Sequence, residues 1–549
     1  MKNNFITTSL KYYHTIKYLK PIQIYGQLTY RFKSKRINKS PPPELRKNIC
    51  WKEPILKSSC KLLSLNQVIL LNKQIDISAK TIWFDTKIDT LLLYNLHYFD
   101  ILQEKTTSSR AQYNALIKRW INENPPAHGH GWDPYPLSLR IVNWIKWILA
   151  GNQPDQEMLH SLAIQIRYLY QRLEVHLLGN HLFANAKALV FAGLFFKGME
   201  AKKWFDKGFK LLKQEITNQI LIDGGHFELS PMYHGIILED LLDIINLFKS
   251  YSILIPLTWT NLCDQMFNWL DTMCHQDGQI SFFNDAALGI APSLSELNEY
   301  KQRLLPNEKI YTPASFVHLS ASGYCRVQKG KTVLITDIAK VGPSYQPGHA
   351  HADTFTFELS IGQSRLIVNS GTSCYAICDE RLRQRGSHAH NTLVIDDYNS
   401  SEVWKSFRVA RRAQVKNINI NEVDDKVIIQ ASHDGYYRID KMMHTRSWII
   451  NRNELIIQDH VSGKGAHKIE LFFHIHPDIR IKLDDKHSVT FYHPSGKILG
   501  SLEAHLALKL VDTSYHPQFN SAIPNKKIVM SLYQTLPVNL NTTIKWNYL

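Results

Sequence analysis

The hydrophobic period of this chain changes a little past its middle. From residue 85 to 310, apolar residues recur every three or four positions, as at Leu137, Ile141, Trp144, Ile145 and Ile148. That spacing gives a helix one face to bury. The pattern predicts helices over 111–121, 137–149, 157–177, 182–196, 202–219, 233–250 and 259–275. Short connections rich in Gly, Pro, Asn and Asp separate them, such as Asn122-Glu123-Asn124-Pro125-Pro126. Serial helices with short turns pack as hairpins in a ring or solenoid. Near residue 312 the period shortens. Runs at 333–337, 354–360, 365–369, 392–395, 427–431, 448–451, 454–459 and 469–474 read as strands. Their spacing predicts a large antiparallel sandwich running to the C-terminus.

The expected organisation is a basic lead-in over 1–80, a helical domain over 81–311 and a β-sandwich over 312–549. A chain of 549 residues is too long for one core, which agrees with that division. Net charge is +16, so polyanions are the natural partners: nucleic acid, an anionic membrane surface or an acidic polysaccharide. No zinc finger, RNA-binding signature or arginine-rich tail is present, which makes nucleic acid the weakest of the three. Part of the charge is concentrated over 17–46, as a solvated or a membrane-facing segment. Seven cysteines with no Cys-x-x-Cys pair argue against a disulfide framework and a cysteine-type zinc site. Cys374 and Cys378 are close enough to pair, but reduced thiols are the expectation. No apolar run is long enough to span a membrane. The first residues lack the apolar core of a signal peptide, which reads as cytoplasmic or as an atypical export route.

Four segments carry chemistry. Gly179-Asn180-His181 opens a predicted helix, where an anion is favoured; the pair also reads as a plain cap and a surface histidine. Asp223-Gly224-Gly225-His226-Phe227-Glu228-Leu229-Ser230-Pro231-Met232-Tyr233-His234 reads as a polar, aromatic loop lining a cleft, with Tyr233 at a helix start. Gly348-His349-Ala350-His351-Ala352-Asp353 places two imidazoles and a carboxylate on alternate positions. In an extended chain they share a face, suited to proton transfer or metal binding. The fourth segment, 381–392, holds Arg381, Arg383 and Arg385 ahead of His388 and His390. Guanidinium groups grip carboxylates and sulfates in bidentate fashion.

In this order, the four segments resemble the heparinase II/III family of polysaccharide lyases and the related alginate lyases, over roughly residues 85 to 460. The resemblance implies an incomplete (α/α) toroid followed by an antiparallel β-sandwich. It implies cleavage of a uronic-acid-containing glycan by β-elimination, in which a C5 proton is removed and the 4-O-linked sugar expelled. That chemistry needs a neutralised carboxylate, a base and an acid. The resemblance assigns neutralisation to Asn180 and His181, acid or base work to Tyr233, and a partner role to His349. A tyrosine base needs a lowered pKa, which His349 and an arginine of 381–385 are expected to supply. His234, Arg383 and Arg385 are expected to meet substrate. In the segment 131–140, Trp132 or Tyr135 stacks on sugar and Arg140 meets an acid group; a packed loop with a buried ion pair is the other reading.

The family's β-domain often holds a structural zinc. By position His351 and His390 match two ligands. Asn369 stands where the third is usually an aspartate, and a neutral amide is a poorer zinc ligand. Family members are commonly periplasmic. Two further readings stay open: a lyase-like factor in surface-polysaccharide assembly, and a non-catalytic glycan-binding protein.

Overall fold

The computed structural model describes residues 2–33, 36–47, 50–57, 59–104, 110–306 and 314–546. Helices fill the first half and strands the second. The expected change of period near 312 lies outside the described residues.

All seven expected helices form: Arg110–Glu123, Pro134–Leu149, Gln156–Gln171, Gly179–Phe195, Met199–Gln219, Pro231–Ser250 and Leu257–Thr272. Their starts follow cap chemistry. Asp155 accepts from the Met158 N–H, and Ser230 from the Tyr233 N–H with Pro231 next in line. The third helix stops at Gln171, short of the expected 177. There the Glu174 N–H donates to Asn185 Oδ1 of the next helix at 2.8 Å, so a side chain replaces the helical acceptor. Two further helices form outside the expected spans, Thr90–Tyr98 and Leu294–Leu304.

A buried charge network ties four of these helices together. Asp243 accepts from Lys146 Nζ at 2.9 Å, Lys187 Nζ at 2.6 Å and the Tyr300 hydroxyl at 3.0 Å. Both lysines and the aspartate are almost wholly buried, so each charge depends on the others.

Among the described residues the second half holds three large antiparallel sheets of eight, four and five strands, and a two-stranded ribbon of Val403–Trp404 with Arg408–Val409. The eight-stranded sheet includes Glu454–Ser462 and Val538–Trp546, whose side chains alternate between buried and more exposed. Side chains from all three sheets, including Leu359, Trp448, Leu471 and Ile544, meet in one core.

Two expectations change. Residues 349–353 are not a strand; they form an irregular loop before strand Phe357–Ile361. Phe355 lies at φ 67°, which breaks any extended run. The lead-in is also structured, with helices Lys2–Ile16 and Pro21–Phe32 and a small sheet of Lys61–Ser64, Gln67–Leu70 and Lys73–Asp76.

Candidate active site

The site lies where helix starts of the first half meet loops of the second, and Asp285 is its hub. This carboxylate is fully buried. One oxygen accepts from His349 Nδ1 at 2.9 Å and the other from His351 Nε2 at 2.9 Å. Arg381 closes a bidentate pair on the same carboxylate, with Nη2 at 2.7 Å and Nη1 on the second oxygen. Burial opposes ionisation of Asp285, but Arg381 and the imidazole hydrogen bonds win and hold its carboxyl well below the usual range. Its backbone is pinned as well: the Ser230 hydroxyl donates to its carbonyl at 2.5 Å, and its N–H donates to the His349 carbonyl. Ser230 thus starts the helix that carries Tyr233 and fixes the aspartate that orients His349.

With Asp285 accepting from Nδ1, neutral His349 keeps a bare Nε2. Tyr233 packs against this imidazole with ring centroids 3.9 Å apart. Its hydroxyl meets that of Tyr375 at 3.1 Å. The expected lowering of the Tyr233 pKa does not occur. Burial raises it well above 10, and Tyr375, Tyr135 and Asp285 add to the rise. The reason is geometric: Arg381, which lies over the Tyr375 ring, is neutralised by Asp285. Tyr233 therefore rests protonated.

Asn180 and His181 occupy the first turn of helix Gly179–Phe195. Leu178 and Gly179 both adopt positive φ, 61° and 56°. A Cβ on Gly179 would lie 2.6 Å from the Gln346 side chain, so the tight turn into this helix requires glycine. His181 Nδ1 faces Glu174 at 3.2 Å. Burial opposes protonation of His181, but the Glu174 charge and hydrogen bond outweigh it and its pKa is raised. Tyr135 lies 4.4 Å from the His181 ring, beside the site as expected. Glu228 is buried 4.0 Å from His349 Nε2, and burial pushes its carboxyl up.

Five expected contact residues are not placed to meet a ligand. Trp132 is buried between Trp120 and Tyr168. Arg140 is fully buried; its guanidinium lies 3.8 Å over the Trp120 ring and donates to the carbonyls of His97 and Gly131 and to Gln165. The packed-loop reading holds there, with carbonyls rather than a carboxylate as acceptors. His234 is locked inside: Nδ1 accepts from the His226 N–H, Nε2 donates to the Met266 carbonyl, and the ring stacks on Trp269. Burial lowers its pKa to about 3. Arg385 is spent on the Ala350 and Ser406 carbonyls. Arg383 pairs with Glu380 and reaches Ser514. The arginine that serves the site is Arg381, acting through Asp285.

Beside this hub sits a buried group with metal-ligand chemistry, His351, Asp353 and His390. His351 Nε2 gives its hydrogen to Asp285, and His390 Nδ1 gives its own to Asn369 Oδ1 at 2.9 Å. The remaining nitrogens, His351 Nδ1 and His390 Nε2, face each other at 3.2 Å. In neutral imidazoles both are lone pairs, and only a proton or a cation relieves that arrangement. Asn369, expected as the third ligand, has its side-chain oxygen engaged in hydrogen bonds. Its oxygen also accepts from Thr356 Oγ1, so it orients His390 from behind. The carboxylate grouped with the two imidazoles is that of Asp353. Two imidazoles and one carboxylate fit a small divalent ion such as zinc.

Asp285, Tyr375 and Glu228 had no assigned role on sequence grounds, and Asp353 was read only as sharing a face with His349 and His351. An aspartate in a coil segment and a tyrosine far from any motif carry no periodic signal, so only the folded chain brings them together.

Comparison with known proteins bears on the family and the fold. The chain is 25% identical over 375 residues to a heparin-sulfate lyase of Bacteroides stercoris, covering 62% of this chain and 53% of that protein. It is 24% identical over 403 residues to a heparin-sulfate lyase of Pedobacter heparinus, covering 65% and 57%. The chain thus spans about half the length of the curated relatives it matches. Among solved structures, a heparinase III superposes with a TM-score of 0.70 at 19% identity, covering 85% of this chain and 79% of that one. A Streptomyces coelicolor chondroitin AC lyase superposes at 0.52 with 9% identity, covering 85% and 74%. At such identities they speak for the fold, an incomplete (α/α) toroid followed by an antiparallel β-sandwich. The profile "Heparinase II/III N-terminus" matches residues 103–311 and "Heparinase II/III-like, C-terminal" matches 312–547, so this chain belongs to the heparinase II/III-like family.

Proposed function

We propose that this chain is a polysaccharide lyase that cleaves a uronate-containing acidic glycan by β-elimination. The observation that carries the reading is the Asp285–His349 pair set against the protonated Tyr233 hydroxyl. The Asp285 carboxylate keeps the proton on Nδ1, so Nε2 of His349 is the base that takes the C5 proton. The electron pair left on C5 moves into the uronate carboxylate and then forms the C4–C5 double bond. The C4–O4 bond breaks, and the leaving oxygen takes its proton from Tyr233. His349 returns its proton to solvent, and Tyr233 is reprotonated. His181, whose protonated form Glu174 favours, and Asn180 at a helix N-terminus face the uronate carboxylate and lower the cost of the developing charge. Acid–base groups so placed contribute about 10²–10⁴ each.

The curated relatives act on heparin-type glycans by name, so sulfated glucosaminoglycans are the first substrates to test. We also place one divalent ion, zinc in the first instance, on His351, Asp353 and His390. When bound it supplies a fixed positive charge that braces the loop carrying His349, and it takes no part in proton transfer.

Elimination creates an unsaturated uronate that absorbs in the ultraviolet. The purified chain mixed with heparan sulfate, hyaluronan, alginate and the host's own surface polysaccharide should raise absorbance on at least one. Tyr233→Phe and His349→Ala should each abolish the rise while glycan binding persists. No rise on any of the four sinks the lyase reading and leaves the assembly-factor and glycan-binding readings.

A further inference from the structure

Helix Pro21–Phe32 has its faces reversed. A surface helix ordinarily buries its apolar stripe and shows its polar side. Here Gln23 and Gly26 face the protein. A Cβ on Gly26 would lie 3.0 Å from His176 Cβ, so the helix sits flush against the helical half. Gln23 Nε2 donates to the Tyr345 carbonyl at 3.2 Å. Tyr30 packs on the His176 ring at 4.4 Å, beneath Arg172. The outward side carries Ile24, Tyr25, Leu28 and Phe32, exposed by 47, 67, 58 and 87%. Helix Lys2–Ile16 adds exposed Leu10, Tyr13 and Ile16 and is fastened to the β-half, where Trp404 Nε1 donates to Thr15 Oγ1 at 3.2 Å. Contacts to both halves therefore fix which way the stripe looks.

Charge indicates what covers it. The first 43 residues contain nine Lys and Arg and no Asp or Glu, against a net charge of +16 for the whole chain. Lys17, Lys20 and Arg31 are exposed on these two helices or between them. An acidic glycan or a nucleic acid would satisfy the cations, but it has nothing to offer Ile24 and Leu28. An anionic bilayer supplies phosphates for the cations and an acyl boundary for the stripe, and tyrosines suit the interface between them. We propose that the helix pair Lys2–Ile16 and Pro21–Phe32 docks this chain on an anionic phospholipid surface. The pair packs on the turn at 173–176, next to His181, and on Tyr345, a few residues before His349. Docking would therefore hold the site at the membrane surface.

The test is co-sedimentation of the full chain with vesicles of phosphatidylcholine alone or with phosphatidylglycerol added. Binding to the anionic vesicles is expected, with affinity at least about tenfold lower for neutral vesicles and falling as salt rises. Leu28→Glu with Phe32→Glu should lower it by about tenfold or more. Both positions are exposed, so the unfolding temperature and any cleavage of soluble glycan should be unchanged. Lys17→Gln with Arg31→Gln should weaken binding and flatten its salt dependence. Absence of binding to anionic vesicles, or binding that neither double variant weakens, overturns the proposal. So does a dimer in light scattering that Leu28→Glu with Phe32→Glu converts to monomer, because a second copy of the chain would then be what covers the stripe.

Discussion

The protonation states of single side chains at this site are set by burial and by a few close neighbours. Glu174 outweighs burial, raises the pKa of His181 and so favours its charged form. A histidine whose pKa is raised above 6.5 by folding gains stability that is fully present below that value and lost as pH rises through the raised one. Turnover should follow the same limb, falling as pH rises and His181 loses its charge. Glu174→Gln should move that limb to lower pH, which a pH–rate profile reads directly; an unmoved limb would remove His181 from carboxylate binding. Tyr375 is a weaker partner. Its hydroxyl meets Tyr233 at 3.1 Å, so Tyr375→Phe removes one hydrogen bond from the acid. That is worth about 1 kcal/mol, and kcat should fall about tenfold or less, far short of the loss for Tyr233→Phe. Equal losses for the two variants would make Tyr375 the acid. Tyr233, His349, Asn180 and His181 were legible in the sequence because each lies within a compact run. His234 and Arg385 were misread, and at Trp132 and Arg140 the packed-loop alternative held, for the same reason: nearness in sequence to a motif says nothing about which way a side chain turns.

Elements are held by buried charge as much as by apolar stripes. Asp243 on helix Pro231–Ser250 serves Lys146 and Lys187 on two other helices. Lys187 has a second partner in Asp240, whereas Lys146 has no second one among the described residues. Asp243→Asn should therefore destabilise the chain by about 3–5 kcal/mol, chiefly by stranding Lys146, and denaturant unfolding would measure it. The double variant Asp243→Asn with Lys146→Met should recover much of that loss. A loss below about 1 kcal/mol for the single variant would mean that water reaches the network. Helix positions were readable because the three-to-four spacing is local. The end of helix Gln156–Gln171 was not, because Asn185 from the following helix competes for the Glu174 N–H. The loop at 349–353 misled in the same way. Alternating His and Asp look like a strand, but the residues are bound to Asp285 and Asn284 rather than to a sheet neighbour.

At the scale of the molecule, the site exists only where the two halves meet. Asn180, His181, Glu228 and Tyr233 come from the helical half, and His349, Tyr375 and Arg381 from the β-half. Asp285 lies between them in the chain. A metal on His351, Asp353 and His390 would brace that junction from the β side. Purified protein should contain about one equivalent of divalent metal by elemental analysis, a stoichiometry expected of a three-ligand site. Chelation should lower the unfolding temperature, and His390→Ala should abolish both the metal and that effect. Protein that is metal-free as purified and takes up no zinc would leave a shared proton between the two imidazoles. The sequence by itself determined the order of the halves, the helical spans and the residues of the four motifs, because periodicity, caps and short runs are local properties. Only the tertiary structure decided that Asp285 joins His349, His351 and Arg381, that Asp353 rather than Asn369 completes the buried group, that Tyr233 rests protonated, and that the apolar face of helix Pro21–Phe32 looks outward. Each of these depends on burial and on partners tens to hundreds of residues away, which no spacing along the chain encodes.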